Sequence, residues 1–179
     1  MADSSMSFNF LGMRVEVKRG IIIPAVVIAL ALGLIAYRLI NLSLVESIIG
    51  AIVGVLLYYL SSIVHHYGHH IAAKRTGHPM SHVNMWGIIG TSAYPDDEGE
   101  LPPQVHVRRA IGGPIMSIIV SIVSFLVVMA LNSIAGSLVW WLLVWWTISN
   151  FFIYTLGALT PLGFTDASTL LHYGRQRTS

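Results

Sequence analysis

Apolar residues collect in four long blocks separated by short polar segments. The first runs from Ile21 to Ile40, about 20 residues, which as a helix reaches about 30 Å. That is the thickness of a bilayer's hydrocarbon core. Pro24 falls in its opening turn, where a missing N–H costs little. The second block, from about Leu44 to Ala73, is apolar from Ile48 to Val64 and then changes into His65, His66, Tyr67, Gly68, His69 and His70. The third covers about Ala110 to Leu131 and the fourth about Leu138 to Ala158. Each block predicts a membrane-crossing helix. Between the second and third lies the polar segment Lys74 to Val107, in which Val83 to Ala93 favours strands and Gly87 and Gly90 supply turn points. A short hairpin is expected there, followed by a solvated loop carrying Asp96, Asp97, Glu98 and Glu100 ahead of Pro102 and Pro103. The pattern therefore predicts an all-α membrane protein: four transmembrane helices with a short cytoplasmic β-hairpin between the second and third. Residues 1–20 read as a cytoplasmic N-terminal segment, 21–174 as a single transmembrane domain and 175–179 as a cytoplasmic tail. The opening segment does not resemble a cleavable signal peptide, because the apolar run behind it is too long and lacks a small-residue cleavage site.

Composition agrees. Of 179 residues, 55% are hydrophobic and 10% charged, against about 25% charged in soluble domains, which excludes an ordinary water-soluble globule. The absence of cysteine excludes disulfides, thiolate metal sites and cysteine nucleophiles. The net charge of +2 comes from basic residues at the ends of apolar blocks. With the N-terminus cytoplasmic, Arg14, Lys18, Arg19, Lys74, Arg75, Arg108, Arg109, Arg175 and Arg177 lie inside and only Arg38 outside. The multi-pass chain is thus expected to keep both termini in the cytoplasm. Trp140, Trp141, Trp145 and Trp146 then open the fourth helix near the outer interface, as anchors and packing residues. Phosphate-cradling loops, dinucleotide fingerprints and nucleic-acid modules are missing from the sequence, so the expected partners are the bilayer and other membrane proteins, with no nucleic acid.

Ionisable residues within an apolar helix mark a functional site by default, because their cost must be met by a partner. On a helix His65 shares a face with His69, and His66 with His70. Two imidazoles so placed can chelate zinc, which takes nitrogen, sulfur or oxygen ligands in a tetrahedron. Asp166, the only acid after Glu100, is the expected third ligand, because the second and fourth helices end on the same side of an alternating bundle. His172 is a weaker neighbour of that site, and His78, His82 and His106 read as surface residues. Gly50 and Gly54 have the spacing that lets helices approach closely, most simply within the chain. Arg38 and Glu46 are placed to pair across the first external turn.

Around these histidines the chain resembles the site-2 protease family of intramembrane zinc metalloproteases (peptidase M50-like). Val64 to Gly77 is similar to that family's His-Glu-x-Gly-His signature with its following small residues and basic pair, and Gly68 before His69 selects His65 and His69 as the ligand pair. His78 to Gly90 resembles the family's cleft strand, which takes an extended substrate by edge pairing. Gly112, Gly113, Pro114 and Ser117 resemble its Gly-Pro-x-x-Asn element, and Pro161 to Asp166 its proline-to-aspartate element. The resemblance implies a cleft lined by Gly113, Pro114, Ser117 and Pro161. It departs where the catalytic machinery should be: His66 stands at the family's glutamate, Ser117 and Ala158 at its asparagines, and Ala167 at the glycine after the aspartate.

Three functions follow. The first is a pseudoprotease that keeps a zinc site of His65, His69 and Asp166, with His66 as a possible fourth ligand, and binds a transmembrane partner uncut. The second is an active metalloprotease cleaving transmembrane substrates, with His66 in the catalytic position as base. The third is an accessory subunit of a membrane complex in which a histidine ligates a tetrapyrrole.

Overall fold

The computed structural model describes residues 6–175. Met1 to Ser5 of the expected N-terminal segment, and residues 176–179 of the expected tail with Arg177, lie outside the described residues. The protein is mostly helical and carries a small sheet. Strands β1 (Met6–Phe10) and β2 (Met13–Val17) precede helices α1 (Ile22–Arg38) and α2 (Leu44–Arg75). Strands β3 (His82–Trp86) and β4 (Ile89–Ala93) follow, then α3 (Pro103–Ala130), α4 (Leu138–Ile148, continuing as a π-helix over Ser149–Gly157) and α5 (Asp166–Arg175). Among the described residues, four stretches are long and apolar enough to cross a membrane: Arg19–Arg38, Leu44–Arg75, Pro103–Ala130 and Leu138–Gly157. These are the four expected blocks, with α3 starting well before Ala110 because Pro103 opens it at a position that needs no N–H partner.

The all-α expectation with one hairpin needs correction. β3 and β4 form half of a four-stranded mixed sheet of order β1-β2-β3-β4, in which β2 and β3 run parallel with Val15 opposite Val83. The other half comes from the segment read as merely polar. Met-Ser-Phe-Asn-Phe and Met-Arg-Val-Glu-Val alternate in polarity, and between them Leu11 and Gly12 both adopt positive φ, 50° and 87°. Such a pair closes a two-residue hairpin whose twist matches its strands. Gly12 N–H donates to Asn9 Oδ1 at 2.7 Å. Met13, Val15, Val83 and Met85 then point to one face and pack on Tyr59, Ile63 and Tyr67 of α2.

The sheet sheathes the end of α2. Tyr58 Oη donates to the Ile88 carbonyl at 2.6 Å, and Tyr59 Oη reaches the carbonyls of Gly87 and Ile21 at 3.0 and 3.3 Å. The start of α1 and the β3–β4 turn therefore sit beside Tyr58 and Tyr59. The rest of α2, about 24 Å of helix to Arg75, continues past α1 and is covered by the sheet, α3 and the π-helical end of α4.

Close helix crossings depend on glycine. A Cβ on Gly68 of α2 would collide with the Gly112 carbonyl of α3, and one on Gly112 with the Gly68 carbonyl. Gly50 and Gly54 admit Trp141 and Trp145 of α4, and Trp145 Nε1–H donates to the Gly54 carbonyl at 2.9 Å. That spacing serves packing within the chain. Glu46 is engaged in a capping box with Ser43 at the start of α2 and not with Arg38, whose guanidinium lies 5.7 Å from the Tyr37 ring centre.

Candidate metal centre

One helical turn of α2 brings His65 and His69 to the same side, where both are buried, 5% and 4% exposed. Asp166 comes to meet them from the first turn of α5. Its approach is set by the loop before it: Thr165 Oγ1 donates to the Thr160 carbonyl at 2.6 Å, Gly163 N–H to Ser168 Oγ at 2.8 Å, and Ala167 N–H to the Ala158 carbonyl at 2.9 Å. His65 Nε2 and His69 Nε2 lie 3.1 Å apart, and Asp166 Oδ2 is 3.3 Å from each.

The partners on the far side of each ring say what those nitrogens are. His69 Nδ1 lies 2.8 Å from the carbonyl oxygen of Arg109, which can only accept, so Nδ1 carries the proton and Nε2 a lone pair. The Gly113 N–H, 3.3 Å from the same Nδ1, is then a neighbour and not a donor to it. His65 Nδ1 sits 3.0 Å from Ser117 Oγ, a hydroxyl that can turn either way; when it accepts from Nδ1, the His65 Nε2 is left in the same condition. Three electron-rich atoms thus face one point, an arrangement that calls for a cation at their centre. Zinc fits it: nitrogen and oxygen ligands at about 2.0 to 2.1 Å in a tetrahedron lie about 3.3 Å apart. His65, His69 and Asp166 would hold the ion, with Ser117 and the Arg109 carbonyl orienting the two rings.

The other sequence-derived positions distribute themselves around this cluster. Gly113 lies against it, since a Cβ there would strike Nε2 of both histidines. Pro114 and Ser117 are buried in α3 beside it, whereas Pro161 is exposed where the chain leaves α4. His66 packs close, its ring centre 5.3 and 5.5 Å from those of His65 and His69, yet its Nδ1 is 3.1 Å from Ser92 Oγ of β4 and its Nε2 is pressed against Gly90. The metal-competent group comprises His65, His69 and Asp166 alone among the described residues. His70 is buried, and neither of its ring nitrogens has a hydrogen-bond partner among the described residues. His78 and His82 lie 3.9 and 4.0 Å from Glu98 and Glu16, and His106 stacks on Tyr173 at 4.0 Å, joining α3 to α5.

Sequence reasoning did not find the support around Arg109. Its guanidinium, 3% exposed, donates to Glu98 Oε1 and Oε2 at 2.5 and 2.8 Å and to the His78 carbonyl at 2.7 Å, and stacks 4.1 Å from the Tyr94 ring centre. The acidic loop is therefore clamped to α3 at the residue whose carbonyl orients His69. Arg109's hydrogen bonds hold the Glu98 carboxyl below its ordinary range, while burial pushes the Tyr94 hydroxyl up to about 12. The adjacent basic pair Arg108-Arg109 was the only signal, and its burial depends on tertiary contacts.

Comparison with known proteins gives one likeness. Among solved structures the chain is similar to "Site-2 Protease from Methanocaldococcus jannaschii", at 23% sequence identity and a TM-score of 0.64, covering 97% of this chain and 73% of that one. The fold is a site-2 protease fold. No protein-family model and no curated protein matches the chain. Two independent features, the site-2-protease-like architecture and the His65/His69/Asp166 cluster, therefore meet in the same molecule.

Proposed function

We propose that this is a site-2-protease-like integral membrane protein that holds zinc at His65, His69 and Asp166 and binds an extended segment of a transmembrane partner without hydrolysing it. The observation that carries the proposal is the convergence of two imidazole Nε2 atoms and one carboxylate oxygen at 3.1 to 3.3 Å. Bound zinc supplies Lewis acidity at that point. The chain's own residues do the rest of the binding: Ser117 and the Arg109 carbonyl fix the rings, and β4, which ends the sheet with one edge unpaired by any strand among the described residues, offers main-chain groups to an extended chain.

The inactive reading is favoured over the active one by what surrounds His66. In the family resemblance this position belongs to a glutamate that moves a proton. Here the ring is committed to Ser92 and Gly90 of β4, and among the described residues Asp166, itself a ligand, is the only carboxylate in the metal-competent group. Elemental analysis of detergent-purified protein is expected to find about one zinc per chain in wild type and none in Asp166→Ala. Wild-type protein is expected to leave a membrane-embedded peptide intact. Cleavage that disappears in His66→Ala would overturn the inactive reading, and a wild type free of metal would overturn the site.

A further inference from the structure

A cavity of about 430 Å³ opens on the sheet's outer face, away from α2, lined by Lys18, Gly20, Asn84, Trp86 and Thr91. Register explains the grouping. Met85 and Val83 point inward to the core, so Asn84 and Trp86 point outward, and Thr91 stands opposite Asn84 on β4. Lys18 N–H donates to the Met85 carbonyl at 3.0 Å, which carries the line of β2 one step further and delivers the lysine beside them. Among the described residues, the Lys18 ammonium, the Asn84 amide and the Thr91 hydroxyl have no hydrogen-bond or ion-pair partner within the protein. Glu16, beside Asn84 on the same face, is paired with Arg14 at 2.8 Å. A positive charge, an amide and a hydroxyl, all uncommitted, thus share one concave site, the donor set that an acceptor-only anion requires.

The surroundings indicate which anion. Lys18 and Gly20 lie at the head of the Arg19–Arg38 apolar stretch, and its first residues Ile22 and Ile23 are 60% and 77% exposed. Ile88 at the β3–β4 turn and half-exposed Trp86 continue that apolar surface past the cavity. A polar head held by Lys18, Asn84 and Thr91 would therefore have apolar chains running along α1, with the Trp86 indole at the boundary, where tryptophan is enriched. We propose that the cavity binds the phosphate of an anionic phospholipid. The proposal rests on the membrane reading above but not on the metal.

The test titrates detergent-solubilised protein with short-chain phosphatidylglycerol, with phosphatidylcholine of the same chains and with inorganic phosphate, counting bound ligand by native mass spectrometry. One phosphatidylglycerol per chain is expected to bind more tightly than phosphatidylcholine, with affinity about fivefold lower in Lys18→Gln, lower also in Thr91→Val, and unchanged in Lys74→Gln. Equal binding by wild type and Lys18→Gln would overturn the proposal. So would binding of inorganic phosphate that depends on Lys18 while phosphatidylglycerol shows no preference, since the site would then serve a soluble anion. Zinc content and sedimentation with vesicles, read on the same preparations, report separately on the metal site and on the membrane.

Discussion

A carbonyl oxygen cannot donate, so the 2.8 Å contact between His69 Nδ1 and Arg109 O fixes which nitrogen of that ring is available to a metal. Ser117 does the same for His65 by a weaker route, because a hydroxyl can turn either way. Ser117→Ala is therefore expected to leave the fold intact and to weaken zinc binding about 10- to 100-fold, measured by competition with a chelator. Unchanged affinity would mean that packing alone orients His65. The contrast between these two supports also marks what the sequence could disclose. His65 and His69 were legible because their pairing is a local consequence of helical spacing, and Asp166 because no other acid follows Glu100. The Arg109 carbonyl, Ser92 and the buried Arg109–Glu98 clamp were not, since a main-chain oxygen has no sequence signature and each contact joins distant parts of the chain.

Helix α3 reaches the histidines only because it meets α2 through glycine on both sides. Gly68→Ala is expected to destabilise the protein by about 1 to 3 kcal/mol or more, because its Cβ meets backbone that cannot rotate away, the Gly112 carbonyl, in addition to Met116 Cβ at 2.7 Å. Gly99→Ala, with open space around its Cβ, is the control, and thermal unfolding in detergent measures both. The clamp at the head of α3 adds a pH dependence. Glu98's carboxyl is held below its ordinary value by Arg109, so its stabilising contribution is present in full above the unfolded-state pKa and is lost as pH falls through the lower folded one. The stability difference between wild type and Glu98→Gln is accordingly expected to be constant near neutrality and to shrink below about pH 4.5. A difference unchanged down to pH 3 would show that the carboxylate charge contributes nothing. At this scale four helices were legible from apolar runs, whereas the β1–β2 hairpin was not recognised, although its alternating residues and Leu11-Gly12 turn carry the signal. The polar residues that make it look like a loop are the outward half of a two-sided strand, and only pairing with β3 gives the inward half something to cover.

Across the whole molecule, charge separates along the helix axes. Arg14, Lys18, Arg19, Lys74, Arg75, Arg108, Arg109 and Arg175 belong to the sheet, to the adjoining helix ends or to α5, whereas Arg38 ends α1 beside the start of α2. The two ends are separated by the length of α3, 28 residues or about 42 Å, more than a hydrocarbon core requires. If the bias in basic residues sets orientation, the sheet, the acidic loop and the metal-competent cluster lie toward the cytoplasm, and the turn at Asn132–Ile134 faces outward. The chain's lack of cysteine makes this directly measurable. Ser133 and Asp97 are both exposed, and neither side chain makes a hydrogen bond or ion pair among the described residues, so a single cysteine at either position reports on the side it occupies without disturbing a contact. In intact cells Ser133→Cys is expected to react with a membrane-impermeant maleimide, and Asp97→Cys only after permeabilisation. The reverse pattern would place the cluster on the outer side and require the extended partner segment to approach β4 from there. Labelling of both before permeabilisation would mean that the four apolar helices do not separate two compartments.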